Sequence, residues 1–193
     1  MFIQVIQAKT SRPDEVRALM KEWGELPNEG SGFLGGTYGI TDDGTMIAVV
    51  RFESQEKAMA NSDRPETDDM AQRMAALTDG PPDFQDCDDV TEWLGEGSEA
   101  ACSVQVFRGP THDAEALKAA MTRDEATMRQ ERPDVIGGTF AVDDSGDFTN
   151  TVYFTDEASA REGESKSEPP EEFRTLMSDV RFYDLRDPWF ESA

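Results

Sequence analysis

Four residues at matched strand positions have the types needed to orient a small molecule: Gln4, Arg51, Gln105 and Tyr153. The carboxamides offer donors and acceptors, the guanidinium stabilises negative charge, and the phenol donates to an oxyanion. Each is flanked by apolar residues: Ile3 and Val5, Val50 and Phe52, Val104 and Val106, Val152 and Phe154. A few convergent polar groups in an apolar chamber is the make-up of a small-molecule site. The glutamines also have a structural use, bonding each other or backbone across a sheet interface, because buried polar side chains are paired as a rule. A guanidinium facing an apolar cavity is costly alone, so Arg51 is expected either to pair with a carboxylate or to receive an anionic ligand.

A second constellation is Asn61-Ser62-Asp63-Arg64-Pro65-Glu66, in which Asn61 and Arg64 have the chemistry to hold a polar ligand group. The same stretch is also an ordinary helix start, with Pro65 early in the helix and Ser62 or Asp63 as cap. The matched region, Glu164-Ser165-Lys166-Ser167-Glu168-Pro169-Pro170, has lost the Arg-Pro-Glu order, so the first half is expected to dominate any site. His112 is the single histidine; its type suits a general base or a haem-iron ligand, but its place at a helix start is that of a solvent-facing residue. Asp86, Asp88 and Asp89 lack the glycine-centred loop of a calcium site, and no metal site is expected. Dinucleotide, phosphate-loop, nucleophile-elbow and zinc-protease motifs are absent.

The elements that must position these groups follow from periodicity. Phe2 to Ile6 reads as a strand, and Ser11-Arg12-Pro13-Asp14-Glu15 opens a helix whose Val16, Leu19, Met20 and Trp23 share one face. Phe33 to Ile40 and Thr45 to Phe52 form a hairpin around Thr41 to Gly44. Ser54 caps a short helix, Pro65 starts a longer one, and a last strand runs from Phe84 to about Val90. Alternation puts Ile3, Val5, Val104 and Val106 towards the helices, with Gln4, Ile6, Gln105 and Phe107 on the other face. It puts Phe52 and Phe154 on the helix side, and Arg51 and Tyr153 away from it.

The same order then repeats. Gly35-Gly36-Thr37-Tyr38 returns as Gly137-Gly138-Thr139-Phe140, and Phe52 as Phe154, at a shift of 101 (Gln4 to Gln105) to 102 (Gly35 to Gly137) residues. That is a duplicated domain: 1–95, a linker at 96–101 and 102–193. Each half reads strand, helix, strand, strand, helix, strand, the ferredoxin-like βαββαβ order. The strands are apolar on both faces, so the predicted fold class is α+β, two ferredoxin-like domains packed sheet to sheet as an intramolecular α/β-barrel. The chain is then its own pseudo-dimer, a monomer or at most a weak homodimer.

With 41 acidic and 18 basic residues, a formal net charge of -23, no nucleic-acid or anionic-membrane partner is expected. The acids are spread along both halves, as on a solvated surface. Cys87 and Cys102 form no framework, and residues 1 to 8 lack a signal peptide's basic start, so a cytoplasmic location is expected. No apolar stretch approaches the roughly 18 residues of a membrane span.

The βαββαβ order, the paired short and long second helices and the Arg51-Phe52-Glu53-Ser54 exit from strand to helix resemble the dimeric α/β-barrel superfamily. The resemblance is to its antibiotic-biosynthesis-monooxygenase-like branch, as a tandem, fused duplicate. It implies a small-molecule ligand and a cofactor-free oxygenase or isomerase-like protein acting on an aromatic or polyketide-like molecule in the barrel. Haem-degrading relatives present a histidine from the second helical region, which this chain lacks in both halves, so no cofactor is expected. It also implies that Trp93 and Trp189 anchor swapped C-terminal arms. A non-catalytic ligand carrier, or a stress-related structural protein with a filled barrel, fits the same residues. The sequence names no catalytic base, and a cavity of about 300 Å³ or more separates ligand binding from a filled core.

Overall fold

The computed structural model describes residues 1–26, 30–95, 100–123, 125–166 and 171–192. Residues 96–99 of the expected linker, and 167–170 of the stretch matched to Asn61–Glu66, lie outside the described residues. The chain divides into two compact units: Met1–Asp88 with Trp189–Ala193, and Asp89–Pro188.

In the first unit β1 (Phe2–Lys9) is central. It pairs antiparallel with β3 (Thr45–Phe52) and with β4 (Asp83–Trp93), and β3 pairs with β2 (Phe33–Ile40), giving the order β4-β1-β3-β2. Helix α1 (Pro13–Gly24) begins with proline and two acids in its first turn, and buries Val16, Leu19 and Met20. Helix α2 (Gln55–Ser62) is capped by Ser54, whose side chain accepts from the Lys57 amide. Helix α3 (Pro65–Leu77) buries Met70 and has no side-chain cap, so neither Ser62 nor Asp63 fills that role.

The second unit repeats the plan. Strand β5 (Ser103–Pro110) pairs with β7 (Asp147–Phe154) and β8 (Arg181–Ser192), and β7 with β6 (Val135–Asp143). Helices α4 (Ala114–Thr122), α5 (Glu125–Glu131), α6 (Glu157–Lys166) and α7 (Glu171–Leu176) complete it. Each half is therefore a ferredoxin-like βαββαβ unit, as the repeat predicts. The last strands run on to Trp93, past the predicted Val90, and to Ser192, and both are divided between the units. Trp93 belongs to the second unit, and Trp189 belongs to the first.

The face assignment of β1 and β5 is reversed from expectation. Phe2, Ala8 and half-buried Ile6 pack with Val16, Met20 and Met74, so the even-numbered side of β1, Gln4 included, faces the helices. Ile3 and Val5, both fully buried, take the opposite face. The cause is register. Phe2 lies opposite Phe52, and Gln4 opposite Val50, so β1 residues of even number share a face with Phe52. Alternation alone fixes two sets of residues but not which set meets the helices. The same holds in β5, where Ser103 is opposite Phe154 and Gln105 opposite Val152.

Candidate functional site

A cavity of about 260 Å³ lies in the first unit between the helix face of the sheet and α1 and α3. Its floor is made by alternate residues of β1 and β3: Gln4, Ile6 and Ala8 beside Met46, Ala48 and Val50. Its walls are aromatic and thioether: Trp23, Phe33, Tyr38, Phe52 and Phe84, with Met20 and Met74. Asn61 and Ser62 close one side, and Thr67 and Asp68 another. The volume is just under the lower bound of about 300 Å³ for common ligand sites. It exceeds the roughly 150 Å³ that suffices for benzene in an apolar cavity.

The polar groups are held by the fold. Gln4 Nε2 donates to Asp86 Oδ1 across the β1–β4 pair at 2.9 Å, which leaves its carbonyl oxygen unengaged. Asn61 Oδ1 accepts from Arg64 Nη1 at 3.3 Å, leaving the Asn61 amide as a donor. Tyr38, 3 % exposed, donates to Glu191 Oε2 at 3.2 Å. Its ring stacks on Trp189 at 5.8 Å, and the Arg17 guanidinium lies 4.8 Å from the Trp189 ring. Burial, then the charge and hydrogen bond of Glu191, push the Tyr38 phenol well above its ordinary pKa, against the charge of Arg51. Tyr38 is thus a neutral donor. Burial also raises the Glu191 carboxyl, opposed by the Tyr38 hydrogen bond.

The matched cavity of the second unit is smaller, about 210 Å³. Its glutamine is doubly committed: Gln105 Nε2 donates to Glu164 Oε1 at 2.9 Å and Asp184 Oδ1 at 2.8 Å. Arg161 bridges the same two carboxylates at 3.2 and 2.7 Å. Phe140 stands where the first unit has Tyr38, and Asn150 where it has Ala48. The Trp93 indole fills the niche above Gly138 and donates to Asn150 Oδ1 at 3.2 Å. A broader depression of about 400 Å³ lies beside α6, but its Arg132 is already paired with Asp134 at 2.7 Å.

The structure separates the predicted site residues. Gln4 and Asn61 meet at the first cavity, Arg64 touches Asn61, and Gln105 lines the second cavity. Arg51 is opposite Ile3, and Tyr153 opposite Val104, so both are on the sheet face away from the helices and line neither cavity. Arg51 is not salt-bridged among the described residues, and its buried Nη1 has no hydrogen-bond partner there. Tyr153 is fully buried. His112 is exposed, and its backbone amide bonds to the Leu176 carbonyl. Trp23, on the apolar face of α1 with Val16, Leu19 and Met20, is a cavity wall. Sequence reasoning missed Tyr38, Glu191 and Asp68. The Tyr38-to-Phe140 difference between otherwise matched strands was the available signal for the first.

No family model matches the chain, and no curated protein sequence matches it. Solved structures do. A candidate monooxygenase from Lactobacillus acidophilus is 10% identical over 99% of this chain and 95% of its own, with a TM-score of 0.73. An anthrone oxidase-like protein is 12% identical over 100% and 93%, with a TM-score of 0.69. A ferredoxin-fold protein related to antibiotic biosynthesis monooxygenases from Listeria monocytogenes is 10% identical over 96% and 94%, at 0.53. At such identities the likeness is one of fold: over its full length this chain has the tandem ferredoxin-like fold of the monooxygenase-like proteins.

Proposed function

We propose that the chain binds a small aromatic molecule in the cavity of its first unit, with the second unit as a supporting copy. The observation that carries this reading is the 260 Å³ chamber, walled by aromatic and methionine side chains and furnished with the Gln4 carbonyl oxygen and the Asn61 amide N–H groups. Burying an aromatic ring there removes apolar surface from water at about 25 cal/mol per Å². The amides then fix its orientation. Calorimetry with indole tests this. Ala48→Leu, which fills the first cavity, is expected to abolish binding, and Met121→Trp, which fills the second, to leave it intact. The opposite pattern would move the site to the second unit.

A second reading is oxygenation of the bound molecule, favoured by the monooxygenase and anthrone oxidase names of the structural neighbours. In such a reaction a ring methylene and dioxygen give a carbonyl and water. The protein's part is to orient and desolvate the ring. Dioxygen uptake with an anthrone, abolished by Ala48→Leu, would support it. Binding without uptake would leave the carrier reading alone.

A further inference from the structure

We infer that the first-unit cavity selects against anions and takes an aromatic ring bearing an ammonium group, an arylalkylamine. This rests on the reading that the cavity binds a ligand, and it names the ligand's charge and polarity.

Three observations lead there. First, no Lys, Arg or His is among the described residues that line the chamber, whereas Asp68 stands at its rim. Of the nearby guanidiniums, Arg64 is held behind the lining by Asn61 and Glu66, and Arg73 pairs with Glu22. Arg51 is on the opposite sheet face.

Second, three of the lining hydroxyls have already spent their hydrogens. Tyr38 donates to Glu191, Ser62 to the Ala58 carbonyl at 3.1 Å, and Thr78 to the Gly80 carbonyl at 3.0 Å. Gln4 has one N–H on Asp86 and its carbonyl oxygen unengaged. What remains on these groups is acceptor oxygen, and the Gln4 carbonyl oxygen is placed to receive a donor from the ligand. A carboxylate or phenolate would be desolvated beside the Asp68 carboxylate, with no cation among the described lining residues to offset the cost.

Third, five aromatic residues line the chamber, Trp23, Phe33, Tyr38, Phe52 and Phe84. Aromatic faces attract ammonium groups within about 6 Å. The net charge of -23 draws cations to the mouth.

The test uses three probes with one ring system: 1-naphthylmethylamine, 1-naphthylmethanol and 1-naphthoate. They are titrated by calorimetry against the full chain and against Asp68→Asn and Ala48→Leu at about 150 mM salt, where long-range attraction is screened. The amine is expected to bind about fivefold tighter than the alcohol, and the naphthoate at least tenfold weaker than the alcohol. Asp68→Asn is expected to weaken the amine and so shrink the amine-to-alcohol ratio towards one, and Ala48→Leu to abolish all binding. Naphthoate binding as tightly as the amine would overturn the anion exclusion and leave the cavity reading standing. A ratio unaffected by Asp68→Asn would overturn the assignment of the ammonium to the rim. No binding by any of the three would remove the cavity reading and this inference together.

Discussion

Gln4 and Gln105 are the same residue in two copies of one strand, and their partners separate their roles. Gln4 holds one carboxylate, whereas Gln105 is clamped between two, with Arg161 closing the ring. Gln4→Leu is expected to lower affinity for a hydrogen-bonding aromatic about fivefold, the worth of one neutral hydrogen bond of about 1 kcal/mol, with little loss of stability. Gln105→Leu is expected to cost about 1 kcal/mol of stability in a denaturation experiment and leave affinity unchanged, because it removes hydrogen bonds to two part-exposed carboxylates that stay paired with Arg161. Glu191 gives a pH test. Its carboxyl is raised above its ordinary value by burial, so its contribution to folding is full below the usual carboxylate range and is lost as pH rises through the raised value. Glu191→Gln still accepts from Tyr38. It is expected to melt like the parent protein at pH 4 and at higher temperature than it at pH 7. Pairs such as Tyr38–Glu191 were not legible beforehand, since they join residues 153 positions apart and only the folded register brings them together.

At the scale of elements, the hairpin turns show how a duplicate keeps a structure while exchanging its residues. In the first, Asp43 accepts from Thr41, Thr45 and Lys9 at 2.5, 2.8 and 2.7 Å. In the second, Asp143 takes the position of Thr41, and Ser145 that of Asp43, and the donor–acceptor pair is reversed at 2.6 Å. Gly44 and Gly146 follow with φ of 77° and 87°, which L residues adopt only with strain. Asp43→Ala is expected to cost about 1 kcal/mol, read as a shift in denaturation midpoint. The two tryptophans are less alike. Trp93 is 4 % exposed and fills the core niche above Gly138, while Trp189 lies half-buried on Tyr38. Trp93→Ala is therefore expected to cost about 3–5 kcal/mol, and Trp189→Ala clearly less. Element order and both hairpins were readable from periodicity and turn residues. The length of β8 was not, because it continues through Pro188, which cannot donate to a ladder, and through Asp187 with a φ of 42°.

For the whole molecule, the duplication carried most of the fold. Residue identity across a 101–102 shift marks two copies without any structural information, and each copy folds as the βαββαβ order requires. The face of β1 did not follow, because apolar residues on both sides of a buried strand give no preference, and only the Phe2–Phe52 pairing decides. That choice moved the site from the interior sheet face to the helix side and removed Arg51 and Tyr153 from it. A charge of -23 on 193 residues repels itself, so raising salt from about 10 mM to 0.5 M is expected to raise the melting temperature by several degrees.

The claim that the first unit holds the ligand is tested most directly by methyl NMR on protein labelled at the methionine methyl groups. Met20, Met46 and Met74 line the first cavity, and Met121 and Met128 line the second. Titration with indole is expected to shift the first three signals together and saturably while Met121 and Met128 stay in place. Movement of Met121 and Met128 alone, or of no methionine at all, would contradict it.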